Sequence, residues 1–222
     1  MKLPDFDPQS VPLHEVAGEA AVPPERLQAD WLRARFAAPP LWQAEYGDEH
    51  RARMHEADLT PAAVLTPLVL RPDGITVLLT QRTAHLSDHA GQISFPGGRA
   101  EDDDADPVAT ALREAREEVG LDARHVEVLG CLPQYCTISG YRVTPVVALL
   151  HPPFHLQADP HEVAQLFEAP LAFLMDGAHH QRRMLPAGDG RRRSFYAMPW
   201  QDHFIWGATA AMLRNLFHFL RV

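Results

Sequence analysis

The chain has 222 residues, 46% of them apolar and 22% charged, with a formal net charge of −9. These values suit one globular domain with an appended arm, and they exclude duplex nucleic acid as a partner, because phosphate binding needs a basic surface. No apolar run approaches the ~18 residues that cross a bilayer. Cys131 and Cys136 are too few for a disulfide framework, and "MKLPDFDPQS" lacks the apolar core of a signal peptide, so the expectation is a cytoplasmic protein.

Residues 1–59 are rich in proline and alanine and read as an arm. One helix is expected there, from Glu25 to Phe36, with Leu27, Trp31, Leu32 and Phe36 near helical spacing. The arm packs either on the domain or on a partner chain, so a homodimer is one expectation. From residue 60 the texture changes. "AAVLTPLVL" and "ITVLLTQR" read as strands around the turn sequence "RPDG", and "GQISFPGG" as a third short strand ending in a glycine turn.

Asp106, Pro107 and Gly120 then bracket a helix as cap, first turn and stop. "HVEVLGCL" and "YRVTPVVALL" are further strands, and "DPHEVAQLFEAP" reads as a short helix. "QRRMLPAGDGRRRSFYAM" suggests two strands around a turn. An amphipathic helix closes the chain, with Ala208, Met212, Leu213, Leu216, Phe219 and Leu220 on one face. The elements lack regular βαβ alternation. A mixed sheet between helices is expected, an α/β fold in three layers.

The bracketed helix carries the chemistry. Val108, Ala111, Leu112, Ala115 and Val119 make its core stripe, and Glu114, Glu117 and Glu118 stand beside that stripe at i, i+3 and i+4. Like charges at this spacing repel, and carboxylates near a helix C-terminus oppose the macrodipole at roughly 0.3–1 kcal/mol each. Either this is a solvated face relieved by Arg113, or a hard divalent cation such as Mg²⁺ or Mn²⁺ sits among the acids. "FPGG" just upstream favours the cation, since glycines let the backbone approach a metal-bridged phosphate.

Here the sequence resembles the Nudix hydrolase family. Arg113, Glu114, Ala115, Glu117, Glu118, Gly120 and Leu121 match the second half of its box, and Gly98 matches the opening glycine. Asp104 stands near the position of an expected glutamate, with one extra residue before Arg113. A second signature is similar to that of the coenzyme A pyrophosphatase branch: Leu78-Leu79-Thr80-Gln81-Arg82, then Gly91, Phe95, Pro96, Gly97 and Gly98. Thr83 replaces the usual Ser or Ala, and Ser87 stands where an arginine is expected. The likeness spans roughly residues 60–220.

The resemblance implies a Nudix-type α/β/α sandwich in residues 60–222. It also implies hydrolysis of the diphosphate of coenzyme A, a small-molecule nucleotide substrate, by water, with Mg²⁺ or Mn²⁺ as cofactor and no nucleic acid or membrane as partner. The alternatives are another nucleoside diphosphate derivative such as ADP-ribose, or a catalytically silent nucleotide-binding module. Glu114 and Glu118 would be metal ligands, Glu117 a ligand or base, and Arg113 the residue that orients a carboxylate. Glu162 would be a distal base or ligand, with ordinary capping of its segment as the other reading. Arg82, Phe95, Gly97 and Gly98 would bind substrate. The arginines at 182, 183, 191, 192 and 193 offer a local basic excess for a further phosphate, and His179-His180 reads as a loop feature.

Overall fold

The near-continuous apolar run from Ala62 to Val69 is explained by burial on both sides. In the computed structural model, which describes residues 7–84, 91–186 and 192–222, this run lies at the centre of a sheet with a helix on either face. In chain order the elements begin with strand β1 (Leu13–Val16), a 3-10 turn (Pro24–Leu27) and helices α1 (Ala29–Ala37) and α2 (Asp48–Arg53). Strands β2 (Thr60–Val69), β3 (Thr76–Arg82), β4 (Ile93–Ser94) and β5 (Gly97–Arg99) lead to helix α3 (Pro107–Val119). Strands β6 (Val126–Cys131), β7 (Tyr135–Cys136), β8 (Tyr141–Leu150) and β9 (Val163–Pro170) follow, then the short helix α4 (Leu171–Leu174). The chain finishes with strands β10 (Gln181–Pro186), β11 (Arg192–Trp200) and β12 (His203–Trp206) and helix α5 (Gly207–Arg221).

The main sheet is mixed, as expected. Its path runs β4-β3-β2-β8-β6, with β5 beside β2, β7 beside β8 and β9 beside β3. β2 and β8 are parallel through all ten residues, from Thr60↔Tyr141 to Val69↔Leu150. Alternation then sorts their side chains. Ala63, Leu65, Val69, Val146, Ala148 and Leu150 pack under α3, while Ala62, Leu68, Val143, Val147 and Leu149 join the larger core against α5. A second, antiparallel sheet of β1-β10-β11-β12 completes the molecule.

Three local expectations are corrected. "DPHEVAQLFEAP" forms strand β9, not a helix: Val163–Pro170 pairs antiparallel with β3, and this ladder gives the backbone partners that a short helix would have had to supply internally. The helix from Glu25 to Phe36 is split at Gln28, whose backbone is extended (φ −98°, ψ 146°). "GQISFPGG" forms two strands instead of one, β4 on β3 and β5 on β2.

The N-terminal residues pack on the domain. Leu32 is fully buried, Phe36 and Trp42 stack around Phe219 at 4.7 and 5.5 Å between ring centroids, and Arg33 makes a two-pronged pair with Glu127. α5 is therefore covered on nearly all sides, including the positions that a two-faced helix would expose. Arg214 and Asn215 are buried, and their partners come largely from the arm. Arg214 pairs with Glu19 and, at 3.0 Å, with Glu45; Asn215 accepts the Glu45 amide at 2.8 Å.

Glu45 also accepts from the Tyr196 hydroxyl and from His218 Nε2, both at 2.7 Å. Burial alone would raise the Glu45 carboxyl, but the bonds from His218, Tyr196 and Arg214 outweigh it and hold it down to about 2. His180 lies in the connection before β10, as expected, but its side chain points into the core. It is fully buried, donates Nε2–H to the Leu174 carbonyl and accepts from Arg214 at Nδ1, and desolvation lowers it to about 4, so the ring is neutral. Among the described residues no helix is long and apolar enough to cross a membrane.

Candidate active site

The acidic helix forms as its sequence dictates. The Asp106 carboxylate accepts the Ala109 amide, Pro107 occupies the first turn, and Gly120 ends the helix in the left-handed region at φ 68°. The stripe of Ala111, Ala115 and Val119 anchors it on β2 and β8, so its rotation is fixed. That rotation decides where each glutamate goes. Glu118 turns inward and is 5% exposed, Glu114 is half-buried, and Glu117 is 59% exposed.

Arg113 organises the face. Its Nε and Nη2 bind Asp104 at 3.1 and 2.9 Å, Nη1 reaches Glu114 at 2.8 Å and Glu117 at 3.0 Å, and Nη2 also donates to the Arg99 carbonyl. Five bonds from one guanidinium make it a hub and not a solvated surface arginine. Asp104 is its main anchor, and the Arg113 hydrogen bonds hold that carboxyl far below the usual range. The extra residue before Arg113 had obscured this partnership in the sequence.

The FPGG stretch has a structural explanation. A Cβ on Gly97, whose φ is 157°, would overlap the Ala63 carbonyl oxygen and lie 2.5 Å from Val64 Cα. One on Gly98 would lie 2.6 Å from the Glu114 carboxylate. These glycines make room for β2 and for a glutamate of the protein itself. Phe95 is buried in the core on the α5 side, so its ring does not line the acidic face.

Glu118 is held asymmetrically. Its carboxylate accepts one amide, from Gly97 at 3.2 Å, and its nearest cation is Arg82 at 3.9 Å. Desolvation dominates and pushes the carboxyl up to about 8; the charges of Glu162 and Glu114 push in the same direction. Burial likewise raises Glu114. Arg82 Nε is buried with no hydrogen-bond partner. Two oxygen donors one turn apart, Glu114 shared with Arg113 and Glu118 without a close cation, beside an Arg82 whose Nε lacks a partner, fit a hard cation that carries an anionic ligand.

Glu162 reaches this site from a distant part of the chain. The Gln157 amide bonds the Val119 carbonyl and the Asp159 amide bonds the Glu118 carbonyl, so residues 157–162 lie across the C-terminal end of α3. Thr83 fixes the other side: its amide donates to the Glu162 carbonyl and its hydroxyl to the His161 carbonyl. The threonine that departs from the usual Ser or Ala thus holds the segment that carries Glu162. Among the described residues no three His, Cys, Asp or Glu side chains converge into a closed metal-holding cluster. Glu114 and Glu118 lie one helix turn apart on the inward side, and Glu117 faces Arg113. Ser87 and Arg191 lie outside the described residues, and Arg183 is bound to the Gln9 and Val11 carbonyls.

Residues 59–187 match the family model for the NUDIX domain. The Uncharacterized Nudix hydrolase NudL of Escherichia coli (strain K12) is 44% identical over 156 residues, 70% of this chain and 80% of that protein. NudL of Shigella boydii serotype 18 has the same identity and coverage. Among solved structures, a Nudix hydrolase from M. Smegmatis, RenU, is 29% identical, with a TM-score of 0.43 over 50% of this chain and 71% of that one. A C. elegans Ap4A hydrolase in a binary complex is 22% identical, with a TM-score of 0.44 over 50% of this chain and 80% of that one.

Proposed function

This chain belongs to the NUDIX domain family, hydrolases of diphosphate-containing substrates that use divalent metal ions, and from that premise we propose that its substrate is coenzyme A. The products would be 4′-phosphopantetheine and adenosine 3′,5′-bisphosphate. The observation that carries this reading is Arg82. It closes the Leu78-Leu79-Thr80-Gln81-Arg82 signature, and its buried Nε lacks a partner next to Glu118.

In this reading Glu114 and Glu118 hold the cation, Mg²⁺ or Mn²⁺, and Arg113 locks the Glu114 rotamer. When bound, the ion neutralises the diphosphate and acidifies a water. Arg82, whose side chain is about one-quarter exposed, binds a phosphate oxygen through its accessible terminal nitrogens. Glu162 takes the proton from the attacking water, and Glu117 balances Arg113. Water adds at phosphorus, the bridging P–O bond breaks, and its electron pair leaves with the departing phosphate.

Two measurements test this. Millimolar Mg²⁺ or Mn²⁺ should raise the melting temperature by about 5 °C or more, through selective binding to the native state at a hundredfold excess over Kd. The shift should shrink in Glu118→Gln; an equal shift in both proteins places the ion elsewhere. For substrate, kcat/KM for coenzyme A should exceed that for dephospho-coenzyme A by roughly ten- to a hundredfold, the value of one charge-assisted phosphate contact of ~1.5–3 kcal/mol. Neutralising Arg82 should narrow that ratio. Equal kcat/KM for the two would move the reading to another nucleoside diphosphate derivative, such as ADP-ribose.

A further inference from the structure

A cleft of about 230 Å³ opens where the arm meets β11 and α5, and the acidic face plays no part in it. Its position follows from strand register. Tyr135, on its wall, pairs with Val143, which pairs with Ala62, which pairs with Arg99 of β5. Three strand spacings separate it from the glycine strand, roughly 14 Å. Tyr135 also belongs to the core on the α5 side, whereas Glu114 and Glu118 stand on α3, against the opposite face of the sheet.

The walls are built, not incidental. Glu45 is held by Tyr196, Arg214 and His218. Asp48 accepts both the amide and the hydroxyl of Ser194, at 3.0 and 3.1 Å. The lining acids are thus engaged by the protein itself. The lining cations are less so: Arg51 is exposed and makes no ion pair with any described residue, while Arg182 pairs at 2.9 Å with the half-exposed Glu15 of β1 and reaches the Ser194 hydroxyl at 3.4 Å. Gly207 also lines the cleft, so the positive end of the fifteen-residue helix α5 lies at its edge, where no side chain caps it. Tyr46 adds a partly exposed aromatic ring; Tyr135 shows only its edge, at 3% exposure, and the Arg214 guanidinium lies over the Tyr196 ring.

We propose that this cleft is a second ligand site, built for a phosphorylated aromatic small molecule of the nucleotide class and separate from the hydrolytic face. Arg51, Arg182 and the start of α5 receive the phosphate, and Tyr46 receives the ring. The volume is below the ~300 Å³ at which sites for whole drug-sized molecules begin, so it suits one ring and one phosphate, not a dinucleotide. Because the arm supplies Glu45, Tyr46, Asp48 and Arg51, occupancy would also bind the arm to α5.

The test is calorimetric titration with AMP in metal-free buffer. Without a cation the acidic face lacks the ion that would hold a phosphate there, and the arginine variants assign binding to the cleft, so the result does not depend on the hydrolase reading. AMP should bind, and more tightly than adenosine or inorganic phosphate alone. Arg51→Ala should weaken it tenfold or more, Arg51→Lys should recover part of the loss, and Glu118→Gln should leave it unchanged. Arg182→Ala provides the second reading, with its melting temperature checked because the Glu15 contact is lost. No AMP binding to the native protein overturns the proposal. So does binding that is indifferent to both arginines, or binding that changes with Glu118→Gln.

Discussion

Glu118→Gln and Glu114→Gln are each expected to lower turnover by roughly a thousandfold or more, on the order of 4 kcal/mol in the barrier. Glutamine keeps the size of the side chain and one oxygen but removes the anionic donor. The fold should not suffer. The Glu118 carboxyl is pushed up to about 8 by desolvation, so its ionised form is already disfavoured in the metal-free protein, and a neutral amide relieves that strain. Loss of activity with an unchanged or raised melting temperature is therefore the expected pair of results. Near-native rates in both variants would remove these residues from the reaction. A collapse in stability would instead make Glu118 a structural residue.

Arg214→Met should be the most damaging change away from the acidic face. Arg214 is 5% exposed and is the common partner of Glu19 and Glu45, with His180 packed against it. Removing it leaves two carboxylates, each about one-third exposed, without their main cation. Breaking a buried pair in this way costs about 3–5 kcal/mol; partial exposure of the acids favours the lower end. For a chain of this size about 3 kcal/mol lowers the melting temperature by roughly 6–12 °C. Arg33→Ala is the control, since its pair with Glu127 is open to solvent and its loss should barely move the melting temperature. A shift of less than about 2 °C for Arg214→Met would mean that the arm is not held by this network.

Parts of the acidic helix were legible because their causes are local. A cap at Asp106, a proline at 107, a glycine at 120 and an apolar stripe act within a few residues, and the crowding of Glu114, Glu117 and Glu118 is itself a local cost that asks for a cation. The same holds for the strands at 60–69 and 141–150, whose near-continuous apolar runs are a local signal. The β9 segment was misread because its eight residues carry too short a pattern to choose between helix and strand. The ladder to β3, some ninety residues away in sequence, made the choice.

The site divides in the same way. The sequence alone determined that three glutamates, one arginine and a glycine pair share one neighbourhood, since helix periodicity and chain continuity require it. Only the tertiary structure decided their separate states. The packing angle of α3 buries Glu118 and leaves Glu117 in water, Arg113 recruits Asp104 across the loop, and Thr83 holds the segment that carries Glu162. The terminal helix is the clearest case. Its apolar positions were visible, but the burial of Arg214 and Asn215 was not, because charge is tolerated in a core only where partners wait, and those partners are Glu19 and Glu45, about 170 to 195 residues earlier.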